Sequence, residues 1–120
     1  MRKTILIIDD DTRNIFALSA VLRAKHFDCI TATSAPEGIA LLRSNQQITA
    51  VLMDIMMPDM DGYEAIKIIK NDVAIASVPV IAVTAKAMQG DETKILDEGA
   101  DAYISKPVDV DKLLKVLSQF

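Results

Sequence analysis

The sequence contains very few cysteines and no long apolar run. Cys29 is the only cysteine among the 120 residues, so no disulfide can form within the chain. Cys29 lies in a strand-like stretch, where we expect a small core residue and a reducing, cytoplasmic setting. No apolar run is long enough to cross a membrane, and no signal peptide precedes the first predicted strand. We therefore expect no membrane contact.

Basic clusters, repeats and low-complexity segments are also missing. The formal net charge is -4, so we expect no direct nucleic-acid partner. His26, the only histidine, ends the first predicted helix and is expected to be a surface residue rather than a phosphodonor or metal ligand. The hydrophobic content of 51% is typical of a globular chain, and we expect one domain over residues 1–120.

Two kinds of apolar pattern alternate along the chain. Short continuous apolar runs predict buried strands, and apolar residues at three- and four-residue spacing predict amphipathic helices. The predicted strands are residues 5–8, 29–32, 50–53, 78–83 and 102–104. The predicted helices are residues 12–25, 34–44, 63–70, 86–98 and 108–120. This alternation indicates a doubly wound α/β fold, with a parallel sheet between two layers of helices.

Polar residues come directly after most of the predicted strands. In a doubly wound fold, functional sites form beyond the carboxyl ends of the strands. The residues at these ends are Asp9 and Asp10, Asp54, Thr84 and Lys106. Any one of them alone would be expected to be a helix cap or a solvated loop residue, and we expect Asp11 to be such a cap. Their convergence on one rim predicts a site.

The chemistry of this set is complete for one reaction. Asp9 and Asp10 are predicted to hold a divalent cation, Mg²⁺ (or Mn²⁺), because such ions bind carboxylate oxygens and bridge to phosphate. Asp54 adds a third carboxylate and a nucleophilic oxygen. Lys106 and Thr84 offer an ammonium and a hydroxyl to phosphoryl oxygens. The sequence therefore predicts that Asp54 accepts a phosphoryl group.

Four segments closely resemble the receiver domain of two-component response regulators. They are ILIIDDD (5–11), MDIMMPDMDG (53–62), TAKAMQGDE (84–92) and GADAYISKP (99–107). The resemblance covers essentially the whole chain and is greatest for receivers of hybrid sensor kinases. It implies a flavodoxin-like (βα)5 fold with strand order 2-1-3-4-5. It also implies that the phosphoryl group comes from a phosphohistidine of a histidine kinase or a histidine phosphotransfer domain.

The resemblance implies roles for individual residues. Asp54 matches the phosphoacceptor and Asp10 the direct metal ligand, with Asp9 assisting and the backbone carbonyl of Met56 completing the protein ligands. Lys106 matches the phosphate-binding lysine.

Further matches concern switching and the lifetime of the phosphorylated state. Thr84 and Ala85 match the phosphate-binding segment, and Thr84 with Tyr103 matches the switch pair. Met56 and Lys86 match positions that border the path of the water that attacks the phosphoryl group. The bond from Lys106 to Pro107 is usually cis in this family, and we expect it to be cis here. The expected partner surface is formed by residues 86–98, 102–104 and 108–120.

Other classes of function stay open at this stage. A haloacid-dehalogenase-type phosphatase would use Asp9 as its nucleophile, but Arg13 stands where its signature requires Thr or Val, and Asp54 would have no role. A flavin carrier or a receiver that no longer accepts phosphate would be a binding module. The chain is expected to be either a free-standing receiver or one taken from a hybrid kinase. The sequence does not identify its downstream partner.

Overall fold

The structure is a computed structural model that describes residues 3–55, 62–84, 96–97 and 99–120. The strands are β1 (Thr4–Ile8), β2 (Asp28–Ala32), β3 (Ile48–Asp54), β4 (Val80–Thr84) and β5 (Ala102–Ser105). The helices in the described part are α1 (Thr12–Ala24), α2 (Ala35–Ser44), α3 (Gly62–Asn71) and α4 (Val110–Leu117). Of the helix predicted at residues 86–98, only Leu96 and Asp97 are described, and both are helical.

The strands form one parallel sheet in the order β2-β1-β3-β4-β5. Successive side chains of a strand point to opposite faces, so each strand contributes to two cores. In β1, Leu6 and Ile8 pack with residues of α2 and α3 on one face. Ile5 and Ile7 pack with residues of α1 and α4 on the other. The predicted doubly wound fold and its strand order are confirmed.

Several element boundaries differ from the predicted ones. β3 begins two residues earlier, at Ile48, because the polar Thr49 interrupts the apolar run without breaking the strand. The last helix begins at Val110 rather than at residue 108, because the Asp109 side chain accepts hydrogen bonds from the backbone N–H groups of Asp111 (2.9 Å) and Lys112 (3.3 Å).

A polar cluster at the amino-terminal edge of the sheet fixes the start of β4 and β5. The Lys70 ammonium, on α3, donates to the Val78 carbonyl (3.0 Å) and to Asp101 Oδ2 (2.8 Å). The same Asp101 oxygen accepts from the backbone N–H of Val80 at 2.8 Å. The Val78 N–H donates to the Ile75 carbonyl in the preceding turn, and Pro79 has no N–H, so β4 begins at Val80 and not at residue 78 as predicted. Gly99 lies beside the Lys70 side chain with a φ of 110°, which suits glycine.

Residues with predicted structural roles lie largely as expected. The Asp11 side chain caps α1 by accepting from the backbone N–H of Arg13 at 2.9 Å. His26 is exposed and has a φ of 71° at the end of α1. Cys29 is partly buried at the margin of the core, not enclosed by it, and this burial raises the pKa of its thiol. No helix among the described residues is long and apolar enough to span a membrane.

Candidate functional site

The carboxyl ends of β1, β3 and β4 bring three polar side chains to one edge of the sheet. Asp9 follows β1, Asp54 is the last residue of β3, and Thr84 is the last residue of β4. They are 3%, 5% and 4% exposed, respectively. Buried polar groups are retained only where partners or function compensate for the loss of water. These three predicted site residues therefore lie on the predicted rim, in a largely dehydrated setting.

Three carboxylates lie close together at this edge. Asp9, Asp10 and Asp54 each offer one oxygen, and these oxygens lie within 4.8 Å of one another. Asp10 is exposed, whereas Asp9 and Asp54 are buried, so the cluster faces water through Asp10. Carboxylate oxygens with one open side suit a hard divalent cation that keeps some of its water. The donor set thus fits the expected metal.

The lysine after β5 is the cationic member of the site. Lys106 Nζ lies 3.6 Å from Asp9 Oδ2 and 3.6 Å from Asp54 Oδ1. Its side chain is 25% exposed, so the ammonium retains some contact with water while it lies between two buried carboxylates. One ammonium against three carboxylates leaves negative charge at the cluster, which favours a cation. The Lys106–Pro107 peptide bond is cis, as the sequence resemblance predicts.

Asp9 is held by groups from the start of α1. Its Oδ1 accepts from the backbone N–H of Asp11 at 2.9 Å, and its Oδ2 accepts from the side-chain amide of Asn14 at 3.5 Å. Sequence reasoning missed Asn14. The available signal was its position in the first turn of α1, where a side chain faces back toward the end of β1.

The two residues of the predicted switch pair lie on adjacent strands. Thr84 is in register with Ser105, and its carbonyl accepts from the backbone N–H of Lys106 at 2.7 Å. Tyr103 is opposite Ala82 and packs, partly buried, against the core on the α2 and α3 face. Tyr103 and Lys106 also line one cleft of about 520 Å³ beside α4.

Some predicted site residues lie outside the described part of the chain. They are Met56, Ala85 and Lys86. Their predicted roles as a metal ligand, a phosphate-binding residue and a residue that influences dephosphorylation stay predictions.

Comparisons with known proteins agree with this architecture. The family model for the response regulator receiver domain matches residues 5–118. The polar-differentiation response regulator DivK of Brucella ovis is 35% identical over 120 residues, covering 100% of this chain and 97% of DivK.

Two solved structures extend the comparison. The receiver domain of the Pseudomonas aeruginosa sensor histidine kinase PA1611, which has a magnesium ion in its active-site cleft, superposes with a TM-score of 0.89. It is 28% identical, and the match covers 99% of this chain and 97% of that one. The receiver domain of Ssk1 from Saccharomyces cerevisiae, crystallised with the histidine phosphotransfer protein Ypd1, has a TM-score of 0.88 at 26% identity, covering 98% and 88%.

The matched region runs from β1 into α4 and includes the end of every strand, where the polar side chains converge. The chain belongs to the response regulator receiver domain family, the phosphoryl-accepting domains of two-component signalling.

Proposed function

We propose that Asp54 is the residue that accepts the phosphoryl group. The observation that carries this proposal is the position of its carboxylate, which is 5% exposed, lies within 3.6 Å of the Lys106 ammonium and belongs to the three-carboxylate cluster. An Asp54 oxygen attacks phosphorus, and a new O–P bond forms while the P–N bond of a phosphohistidine breaks. The bonding pair returns to the imidazole nitrogen, which then takes a proton from water.

Asp9, Asp10 and Asp54 would hold Mg²⁺, with Mn²⁺ as an alternative, and the Met56 carbonyl is the further ligand that the family pattern implies. When bound, the ion supplies positive charge that offsets the negative charge of the phosphoryl oxygens. The magnesium ion in the related PA1611 receiver supports this assignment.

Lys106, Thr84 and the segment at Ala85 would bind the phosphoryl oxygens. Lys106 lies beside both buried carboxylates, and a short movement would bring its ammonium to an oxygen of a group on Asp54. Thr84 ends the strand next to β3 and offers a hydroxyl. Engagement of Thr84 would then be coupled to Tyr103 on β5, and the surface formed by residues 86–98, β5 and α4 would change its partner affinity.

The phosphoryl donor would be a histidine kinase or a histidine phosphotransfer protein, which the complex of the related Ssk1 receiver with Ypd1 supports. We propose a cytoplasmic location and a single receiver domain over residues 1–120. The domain is a signalling acceptor, and any loss of its phosphoryl group by hydrolysis would be influenced by Met56 and Lys86.

The alternative of a haloacid-dehalogenase-type phosphatase with Asp9 as nucleophile is not supported. The receiver family model accounts for residues 5–118. Asp9 Oδ1 is bound to the backbone N–H of Asp11, and Oδ2 lies near Asn14 and Lys106. Both oxygens are therefore in contact with donors of this chain.

The test is stoichiometric labelling with acetyl phosphate and Mg²⁺, followed by mass spectrometry. We expect one phosphoryl group per chain on Asp54, sensitive to hydroxylamine as an acyl phosphate is. Asp54→Asn should take no label, and Asp111→Asn, which changes an exposed carboxylate on α4, should label as the wild type does. Equal incorporation of phosphoryl label into Asp54→Asn and wild type would refute the assignment of Asp54. Continuous turnover of a phosphoester would instead support the phosphatase alternative.

A further inference from the structure

One carboxylate oxygen of the site lies near two donors that come from different parts of the fold. Asp9 Oδ2 is 3.5 Å from the amide nitrogen of Asn14 and 3.6 Å from the Lys106 ammonium. Within the part of the chain that the structure describes, these two side chains are the donors that reach this oxygen. Asp9 is only 3% exposed, so the donors that the protein supplies to this oxygen matter more than they would at the surface.

The Lys106 ammonium cannot contact Asp9, Asp54 and a phosphoryl group all at once, so it must move to bind the phosphoryl group. Its ammonium lies 3.6 Å from Asp9 Oδ2 and equally far from Asp54 Oδ1. If it turns toward a phosphoryl oxygen on Asp54, Asp9 Oδ2 loses a cationic neighbour. Asp9 Oδ1 keeps its hydrogen bond from Asp11, but removing a cation from beside a buried carboxylate oxygen has a cost, and this cost would oppose the movement of Lys106.

Asn14 is placed to reduce that cost. Asn14, Asp9 and Lys106 line the same cavity of about 220 Å³ between α1 and α4, whose other walls are largely apolar. The cavity gives the lysine stem space to move, whereas Asn14 is fixed in the first turn of α1. Its amide is a neutral donor, so it can bind Asp9 Oδ2 without repelling a cation at the cluster.

We propose that Asn14 is a positioning residue for phosphoryl transfer, which holds Asp9 Oδ2 so that Lys106 can move from Asp9 to the phosphoryl group. This inference rests on the proposed function of Asp54. The long Asn14–Asp9 hydrogen bond is then expected to shorten once Lys106 no longer shares the oxygen.

The first test is the labelling rate of Asn14→Leu with acetyl phosphate at saturating Mg²⁺. Leucine has a similar branched shape, although it is larger, and it has no donor. We expect labelling to slow by about three- to tenfold, because the hydrogen bond has a charged acceptor but is long at 3.5 Å. Asn14→Asp, which has the same shape, should slow it at least as much, because a carboxylate there attracts Lys106 and repels Asp9. Arg13→Ala is the matched control, since its side chain is 93% exposed.

The second test separates positioning from a general structural role. If Asn14 acts by releasing Lys106, then Asn14→Leu should have no further effect in a Lys106→Met background, where there is no ammonium to release. An equal slowing in both backgrounds, or a wild-type rate in Asn14→Leu and Asn14→Asp, would overturn the inference while labelling of Asp54 stands. If the wild type itself takes no label, the proposed function is contradicted, and so is this inference, which rests on it.

Discussion

The first residue of α3, Gly62, lies directly against the backbone of Ile55. The Gly62 N–H donates to the Ile55 carbonyl at 2.8 Å. A Cβ at Gly62 would lie 2.6 Å from Ile55 Cα and 3.0 Å from the Asp54 carbonyl oxygen. Glycine is therefore needed here for close packing of α3 on the residue that follows the phosphoacceptor candidate.

We predict that Gly62→Ala moves α3 away from the end of β3 and displaces Asp54. Overpacking of this kind costs about 1–3 kcal/mol of unfolding free energy, measurable by urea denaturation. Acetyl phosphate labelling should also slow, because the Asp54 backbone takes part in the clash. The control is Gly99→Ala, which strains a positive φ at the opposite edge of the sheet. It should lose stability but keep the wild-type labelling rate, and equal slowing in both variants would contradict the argument.

A second prediction concerns competition between Lys106 and the metal. The Lys106 ammonium lies 3.6 Å from two of the three clustered carboxylates, so it repels any cation bound among them. Lys106→Met should therefore bind Mg²⁺ more tightly, by about three- to tenfold. Its conformational response to beryllofluoride should nevertheless be smaller than that of the wild type. Isothermal titration at low salt measures the affinity. Lys112→Met removes the same charge from an exposed position on α4 and should change the Mg²⁺ affinity little. Weaker Mg²⁺ binding in Lys106→Met than in the wild type would disprove the competition.

The strand ends could be predicted from sequence because each apolar run stops at a polar residue. Asp54 and Thr84 are the last residues of β3 and β4, and parallel strands bring their carboxyl ends to one edge. Contacts that depend on side-chain direction could not be predicted. The amide of Asn14 reaches Asp9 across five residues, and the Lys70 ammonium reaches Asp101 across 31. Neither pair follows a pattern of apolar spacing.

Burial of single polar side chains was equally hidden from sequence. Ser19 lies in the middle of α1, where a polar residue would be expected on the exposed face of the helix. It is nevertheless only 6% exposed. Its hydroxyl is buried without a conventional hydrogen bond to the described residues, although it lies near the weakly polar Cys29 thiol.

Ser19→Ala should therefore stabilise the protein. Alanine removes a buried hydroxyl that has no conventional hydrogen bond to the described residues, and it has a higher helix propensity; together these effects contribute about 1 kcal/mol. Ser34→Ala is the opposite case, because the Ser34 hydroxyl accepts from the backbone N–H of Glu37 at 3.4 Å as the cap of α2. It should destabilise by about 1 kcal/mol. If the urea midpoints of both variants shift in the same direction, the burial of the Ser19 hydroxyl does not determine the effect of Ser19→Ala on stability.

The final prediction concerns the link between α2 and the end of α3. Asp72 Oδ2 accepts from Arg43 Nε at 2.8 Å, and its Oδ1 accepts from the backbone N–H of Ala74 at 3.0 Å. The hydrogen bond from Arg43 and then that from Ala74 hold the pKa of Asp72 below its usual value. A carboxyl group whose pKa is lowered by folding stabilises the protein above its unfolded pKa, and this contribution is lost as the pH falls through the lowered value.

Wild type should therefore exceed Asp72→Asn in stability most clearly at pH 7, and the difference should shrink below about pH 4. Urea midpoints measured between pH 7 and pH 3 follow this difference. Arg43→Ala removes the larger cause, so the pH dependence of the Asp72→Asn effect should be weaker in that background, with only the Ala74 hydrogen bond left to favour the charged form. Because the ion pair is near the surface, added salt should also reduce the difference at pH 7. A difference that grows as the pH falls would mean that folding raises the Asp72 pKa, contrary to its contacts with Arg43 and Ala74.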